Sequence, residues 1–201
     1  MKRQVRIQQL GGARALVLHR PHANVLALAR QLRAIGLMVE EAWPELGAHA
    51  MAVDFIFFDA DMGYDAQFPW PAGQAPMPMI AMIGSEAPGR IEWSLQIGAH
   101  AQLLKPVTGS GVYSAVLIAR DAFDRQRILA AEIADLRRRL DERQTVVRAV
   151  MLLMQMGKSE ADAYDQLRQM AMAWQISFED AALRVAARYK VEAGDDQRNR
   201  S

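Results

Sequence analysis

An aspartate and a lysine stand where two predicted strands end. Asp59 follows the apolar run 53–58, and Lys105 follows the short apolar segment 101–104. In an open α/β sheet, reactive and ligand-binding groups gather at the carboxyl ends of the strands. An aspartate opposite a lysine at that edge has the geometry of a phospho-acceptor site, so phosphoryl chemistry is the first candidate.

Few residues in this chain could support other kinds of chemistry. There is no cysteine, which excludes a disulfide scaffold and a thiolate metal site. No nucleophile–base pair and no metal cluster is visible, so we expect no catalytic residue, no metal and no cofactor, and an enzyme is the least favoured class. Metal-ligand spacing is absent among the histidines, which are His19, His22, His49 and His100.

Predicted strands and helices alternate through the first half of the chain. The strand over 53–58 is an almost continuous apolar run, interrupted only by Asp54, as expected for a strand buried on both faces of a parallel sheet. Strand–helix alternation with short connections predicts an α/β doubly wound domain with helices on both faces of the sheet. The predicted strands are 13–18, 37–42, 53–58, 77–83 and 101–104, and the predicted helices are 24–35 and 91–97.

One segment interrupts this alternation. Residues 60–78 are rich in glycine and proline, which argues against a full crossover helix there. A single turn around residues 65–68 is expected in its place. A long irregular loop of this kind is either functional or mobile.

From about Gly111 the pattern changes to one long helix. Apolar residues alternate in steps of four and three, the a/d pattern of a coiled coil. An intramolecular partner is disfavoured because no second helix of matching length is present, so we expect a homodimer. The series runs through Leu129, Ile133, Leu136, Leu140, Arg143, Val147, Val150 and Met154, and dimerisation is expected at Leu129, Ile133, Leu136, Leu140 and Val147.

Two shorter amphipathic helices follow the long one. Ser159 and Ser177 each stand three positions before an aspartate, Asp162 and Asp180, which is the pattern of an N-terminal capping box. Each following helix is apolar on one side only, so neither can bury its apolar face alone. The pattern predicts a small three-helix bundle that includes the end of the long helix.

Composition limits the possible partners. Hydrophobic residues make up 51% of the chain and charged residues 23%, which is typical of a folded protein. The net charge of +1 gives no indication of nucleic-acid binding, so contact with a polyanion must come from a local patch of positive charge. No apolar run reaches the ~18 residues of a membrane span, and the basic start lacks the apolar segment of a signal peptide. We expect a cytoplasmic protein with no membrane contact.

The strand-end residues carry a resemblance to a known family. Residues 54–59 look like the third strand of response-regulator receiver domains, and residues 98–106 look like the fifth strand with its Lys-Pro ending. The resemblance implies a flavodoxin-like fold, with Asp59 at the phosphorylated position and Lys105 beside it.

Two departures from the receiver pattern affect phosphorylation. His19 and Arg20 stand where that family carries the acidic pair that holds Mg²⁺, and Ile83 stands where it carries Thr or Ser. Phosphoryl transfer relies on the cation, which needs oxygen ligands. We therefore expect a pseudo-receiver whose Asp59 forms an internal ion pair with Arg20 or Lys105.

The helical end of the chain resembles a second family. Residues 148–172 and 177–189 are similar to the ANTAR domain of transcription antiterminators, and the three-part order is that of AmiR/NasT-type regulators. The resemblance implies a pseudo-receiver domain over 1–110, a coiled-coil dimerisation helix over 111–145, an ANTAR RNA-binding head over 146–192 and a disordered tail over 193–201.

This resemblance implies a function and partners. The family binds paired hairpins in a nascent leader RNA and prevents a terminator from forming. In AmiR-like systems a ligand-sensing protein sequesters the regulator, which suggests control by a partner protein. RNA contacts are expected at polar or small positions off the apolar stripes, namely Lys158, Tyr164, Arg168, Gln169, Met172, Arg184 and Arg188.

Plainer interpretations remain open beside these. Tyr164 also fits core packing, and Lys158 and Arg168 also fit a solvated surface. A phosphorylated two-component response regulator with Asp59 as acceptor is the alternative function, with DNA or protein binding as its output. A dimerisation scaffold with no nucleic-acid role is the third, favoured by the near-neutral charge.

Overall fold

The computed structural model describes the backbone of residues 10–198 and the side chains of residues 10–188. The chain divides into two compact units, one ending at Ile128 and the other beginning at Leu129. Each unit has its own buried apolar core. No helix in the described part is both long enough and apolar enough to cross a membrane.

The first unit is built on a five-stranded parallel sheet with the strand order β2-β1-β3-β4-β5. This confirms the predicted α/β doubly wound class. The strands are β1 (Arg14–Leu18), β2 (Met38–Ala42), β3 (Phe55–Asp59), β4 (Met79–Ile83) and β5 (Ala101–Leu104). The helices are α1 (Ala23–Ile35), α2 (Pro88–Ile97) and the start of α3 (Val112–Gln155), with short 3₁₀ turns at Ala48–Ala52 and Asp65–Gln67.

Side chains of β3 alternate between two apolar cores. Phe55 and Phe57 pack with α1 and α3 on one face of the sheet. Ile56 and Phe58 pack with α2 on the other face. Successive residues of a strand point to opposite faces, so a strand covered by helices on both sides must be apolar at every position. Asp59 is therefore the first polar side chain that this strand delivers, at its carboxyl end.

The irregular segment 60–78 is fixed to the rest of the unit. Its single turn, Asp65–Gln67, confirms the predicted one. The guanidinium of Arg90 donates to two loop carbonyls, the nearer being that of Ala60 at 2.6 Å. The indole Nε1 of Trp93 donates to a carboxylate of the turn at 2.7 Å. These bonds hold the loop across α2.

The second unit contains a three-helix head. It is formed by the end of α3 with α4 (Glu160–Trp174) and α5 (Phe178–Arg198). The bundle predicted from the two amphipathic stripes is confirmed. Its buried core is built largely from small residues: Ala149, Val150 and Leu153 of α3, Ala163, Leu167 and Ala171 of α4, and Ala181, Ala182 and Val185 of α5.

Both short helices begin at the predicted serines. The Ser159 hydroxyl accepts the Asp162 N–H at 3.1 Å and donates to the Asp162 carboxylate at 2.6 Å. Ser177 makes the same pair of bonds with Asp180, at 3.0 and 2.8 Å. Each cap satisfies a backbone donor that the first turn leaves unpaired.

The end of the last helix differs from the prediction. A disordered tail was expected from residue 193, whereas α5 continues to Arg198. Residues 178–198 contain no proline, and Gly194 is accommodated within the helix. Residues 199–201 lie outside the described part of the chain.

Candidate functional site

The predicted strand-end pair is present in the first unit. Lys105 Nζ lies 2.7 Å from Asp59 Oδ1, and the Asp59 side chain is only 3% exposed. Lys105 also contacts a second carboxylate, that of Asp61, at 2.5 Å. Asp61 donates its backbone N–H to Asp59 Oδ1 at 3.0 Å, which holds the two aspartates side by side. The lysine that the sequence placed opposite one carboxylate therefore serves two.

His19 completes this group, which we call the strand-edge cluster: His19, Asp59, Asp61 and Lys105. His19 Nε2 lies 3.3 Å from Asp59 Oδ2, and both side chains are 3% exposed. His19 Nδ1 lies 2.6 Å from the Arg20 carbonyl oxygen, which only accepts, so Nδ1 carries a proton. The contact with Asp59 is attractive only when Nε2 is protonated as well.

The expected alternative, an Asp59–Arg20 ion pair, is wrong. Arg20 is exposed, whereas the preceding His19 is buried. Successive side chains of an extended segment point in opposite directions, and here His19 takes the inward direction. The position where receivers carry an acidic ligand therefore holds an imidazole. Among residues 10–188, no group of three or more His, Asp or Glu side chains is arranged to hold a metal ion.

Asp61 is held by the loop that follows β4. Its carboxylate accepts the Gly84 N–H at 2.9 Å and the Ser85 N–H at 3.0 Å. Burial by itself raises the pKa of Asp61, but the hydrogen bond from Lys105, with those from Ser85 and Gly84, brings that pKa below its ordinary value. The carboxylate is therefore charged at neutral pH.

In the second unit, an open groove runs along α4. Tyr164, Arg168 and Met172 succeed one another at intervals of four on its exposed side and line a groove of about 520 Å³. Phe178, at the start of α5, also lines this groove. The rings of Tyr164 and Phe178 are stacked, with centroids 6.0 Å apart and planes 11° from parallel. Three of the predicted RNA-contacting residues thus share one surface.

The same stacked rings border a second cleft. Tyr164 and Phe178 line a cavity of about 520 Å³ whose other walls include Arg139 and Arg143 of α3. Tyr164 is 38% exposed, so it is neither fully buried in the core nor free of it. The ring pair therefore stands between two openings, each of which offers a guanidinium beside an aromatic face.

The remaining RNA candidates lie elsewhere on the head. The Arg184 guanidinium lies over the exposed ring of Trp174, 5.6 Å from its centroid. Arg188 is one turn further along α5 and is exposed. Lys158, before α4, and Gln169, on α4, are exposed but line neither cleft.

The predicted dimerisation residues form an exposed apolar row on α3. Their exposures range from 43% for Ile133 to 59% for Leu129, and Leu136, Leu140 and Val147 lie between these values. We call this row the α3 seam.

One position of the heptad series is wrong. Val150 is buried in the head core, at 5% exposed, and Met151 is exposed instead. Because α4 and α5 pack on α3 at this point, the side chain of Val150 faces the head core. The exposed apolar side chain is that of the next residue, Met151.

Sequence reasoning missed four residues of these sites. Asp61 stood two positions after a recognised aspartate, but its partners lie on another loop. His19 was read only as a missing carboxylate. Phe178 and Trp174 fall on the apolar sides of the two short helices, and their positions at helix ends were the available signal that part of each ring reaches the surface.

Two family models match this chain. Residues 13–120, more than half of the chain, match the model described as AmiR, N-terminal. Residues 134–185 match the model described as ANTAR domain. Both families are regulatory, not enzymatic. No curated protein sequence matches this chain significantly.

Solved structures similar to this chain include response regulators. One from Thermotoga maritima has 19% identity and a TM-score of 0.45, covering 55% of this chain and 98% of its own. A CheY-like receiver domain protein from Methanospirillum hungatei has 20% identity and a TM-score of 0.46, covering 58% and 99%. Full-length FixJ from B. japonicum has 17% identity and a TM-score of 0.44, covering 90% and 98%.

Proposed function

The chain belongs to the AmiR/NasT-type family of ANTAR regulators, and on that premise we propose that it is an RNA-binding antitermination regulator. It binds paired hairpins in a leader RNA and prevents a terminator from forming. The observation that carries the proposal is the exposed row of Tyr164, Arg168 and Met172 beside the Phe178 ring. Among residues 10–188, only the two openings beside this ring pair combine a stacked aromatic pair with nearby guanidinium groups.

The chemistry of that groove suits an unpaired RNA base. Bases in hairpin loops are unstacked, and proteins bind them by stacking on aromatic rings or guanidinium planes. Stacking of one base on an aromatic ring contributes about 1–3 kcal/mol. Tyr164 offers such a ring at the surface, and Arg168 offers both a plane and a positive charge for phosphate. The near-neutral net charge of the whole chain does not oppose this binding, because a hairpin contacts only the head.

A dimer would present two heads to two hairpins. The α3 seam exposes apolar side chains at coiled-coil spacing, and burying such a row against a second copy removes them from water. Two linked binding modules raise the effective local concentration of the second site, so the dimer binds a paired target far more tightly than one head binds one hairpin.

The strand-edge cluster supports the part of the proposal in which control comes from a partner protein in place of phosphorylation. Asp59 is already bound by Lys105, and His19, whose Nε2 lies 3.3 Å from Asp59, stands where receivers carry a metal-binding carboxylate. A ligand-sensing protein that sequesters the regulator would provide the switch that the phosphoryl group provides in other receivers. This step rests on family analogy.

A binding titration tests the proposal. Fluorescence anisotropy should detect binding of the unmodified full chain to a two-hairpin leader RNA, weakening with added salt as counterions are recaptured. Arg168→Ala should weaken binding about tenfold and reduce the salt slope by about one. Arg30→Ala removes another exposed arginine, one in the first unit, and should leave binding unchanged. Failure of the wild-type chain to bind any paired-hairpin RNA would reject the function.

A phosphorylated response regulator remains the second candidate. One observation favours it, the contact of Asp59 with Lys105 at 2.7 Å. Radiolabelled acetyl phosphate with Mg²⁺ should leave the wild-type chain unlabelled if the antiterminator proposal holds. Label that appears on the wild type and disappears in Asp59→Asn would favour the response regulator instead.

A further inference from the structure

The strand-edge cluster contains a carboxylate that neither candidate function uses. Asp61 lies between β3 and the loop after β4, and its side chain is 24% exposed, so one side of it reaches solvent. Lys105 binds it at the same time as Asp59.

The donors around Asp61 form a cradle for an oxyanion. Two consecutive backbone N–H groups, of Gly84 and Ser85, point at its oxygens from 2.9 to 3.1 Å. The Lys105 ammonium approaches the same carboxylate at 2.5 Å. Successive backbone amides beside a cationic side chain are a recurrent way of binding phosphate-like anions. We call the Gly84 N–H, the Ser85 N–H and the Lys105 ammonium the oxyanion cradle.

Gly84 is fitted to this arrangement. A Cβ atom at that position would lie 2.7 Å from Asp61 Oδ2, closer than two such atoms can approach. A side chain at Gly84 would therefore require the Asp61 carboxylate to shift from this position.

A buried polar atom faces the same cluster. His19 Nε2 has no hydrogen-bond partner among the described residues, although the His19 side chain is only 3% exposed. It lies 3.3 Å from Asp59 Oδ2, the oxygen that Lys105 does not contact. Lys105 and His19 thus bracket Asp59 from two sides, while Asp61 fills the cradle.

We propose that Asp61 is a built-in anionic ligand, occupying from within the chain a site beside Asp59 that would otherwise bind a tetrahedral oxyanion such as phosphate. The wild-type cluster is then closed to external anions. A further dianion would have to share Lys105 with two carboxylates and would find both amides occupied. Removing the Asp61 carboxylate vacates all three donors at a position open to solvent.

Three variants of the full chain distinguish this proposal from the alternative that Asp61 only fixes the loop after β4. Asp61→Ala empties the cradle. Asp59→Asn is the matched control, because it removes a carboxylate from the same lysine but leaves Asp61 in the cradle. Asp59→Asn/Asp61→Ala empties the cradle and also removes the remaining negative charge beside it. Each is titrated with inorganic phosphate at constant ionic strength, following the melting temperature and the amide NMR shifts of Gly84 and Ser85.

The proposal predicts saturable phosphate binding in Asp61→Ala and about tenfold tighter binding in the double variant. Saturating phosphate should raise the melting temperature of these two variants by about 3 °C. Wild type and Asp59→Asn should show no saturable response. Phosphate binding by the wild type that matches Asp61→Ala, or a folded Asp61→Ala whose Gly84 and Ser85 amides ignore phosphate, would overturn the proposal.

A fourth variant covers the case in which Asp61→Ala does not fold. Asp61→Ser retains one hydrogen-bonding oxygen for the loop but carries no charge, and it should gain phosphate-dependent shifts at Gly84 and Ser85. The same shifts in the wild type would refute the proposal without any variant. None of these readouts involves RNA, so they stand or fall separately from the antitermination function.

Discussion

At the edge of the sheet, the Lys105 ammonium lies within 2.7 Å of both the Asp59 and the Asp61 carboxylates, and Asp59 is 3% exposed. On the head, Tyr164 and Met172 are 38% and 70% exposed. The first region holds the residues most able to do chemistry, yet they satisfy one another. The second has no reactive group, yet leaves its rings and guanidinium groups open. Available surface, more than reactive residue type, indicates where this chain meets its ligand.

The largest effect is expected at the α3 seam. Leu136→Asp combined with Leu140→Asp places two charges where a coiled coil buries apolar side chains, so the dimer should dissociate to a monomer. Sedimentation velocity measures the change. Ile118→Asp alters an equally exposed apolar residue of α3 outside the seam and should leave the dimer intact. A wild-type chain that sediments as a monomer would remove the seam from the account.

Removing one cation should lower the unfolding free energy much more in the strand-edge cluster than in an exposed ion pair. Lys105→Ala leaves the buried Asp59 carboxylate and the half-buried Asp61 carboxylate without their shared cation, which should cost about 3–5 kcal/mol of unfolding free energy. Arg138 also contacts two carboxylates, Asp135 and Glu142, but on the exposed surface of α3. Arg138→Ala should leave the urea midpoint nearly unchanged. Equal losses in the two variants would contradict the distinction between a buried, closed cluster and solvated pairs.

The head should respond to loss of a helix cap. Ser159→Ala removes the oxygen that accepts the Asp162 N–H, which should cost about 1 kcal/mol of head stability. Ser114→Ala is the comparison, since that hydroxyl only donates to the Gly111 carbonyl at the start of α3. Thermal unfolding followed by circular dichroism reads both. An unchanged transition in Ser159→Ala would mean that packing alone fixes where α4 begins.

The smallest effect is a pH dependence in the first unit. Burial lowers the pKa of His100 below its ordinary value, although a hydrogen bond with Gln126 opposes the shift. The unfolded chain therefore takes up a proton as the pH falls below about 6.5, before the folded chain does, and stability declines from that pH downward. His100→Asn can keep an acceptor for the Met79 N–H but does not titrate, so its urea midpoint should change less between pH 7.5 and 5.5. An identical slope in both proteins would exclude this histidine.

Sequence patterns predicted the helices and strands better than they predicted the directions of individual side chains. The continuous apolar run of β3 and the two serine caps each encode a local rule, and the structure confirms both. Asp59 and Lys105 could be paired because parallel strands end at one edge. His19 could not be preferred over Arg20, since the direction of a side chain just past a strand depends on the loop that follows.

Residues that depend on tertiary contacts were the least predictable. The carboxylate of Asp61 is defined by amides 23 and 24 positions away along the chain, and no spacing rule connects them. Val150 fits the heptad series by spacing, yet α4 and α5 draw it into the head core. In both cases a packing partner, absent from the local pattern, decided where the side chain points.

One binding experiment tests the central claim, that the head binds RNA without phosphorylation of Asp59. Binding of a two-hairpin leader RNA is measured for the unmodified wild type, Asp59→Asn, Tyr164→Leu and the control Tyr113→Leu, which alters another exposed tyrosine. We predict that Asp59→Asn and Tyr113→Leu bind as the wild type does, and that Tyr164→Leu binds about tenfold more weakly through loss of one stacking contact. Unchanged binding by Tyr164→Leu, together with loss of binding in Asp59→Asn, would contradict the account.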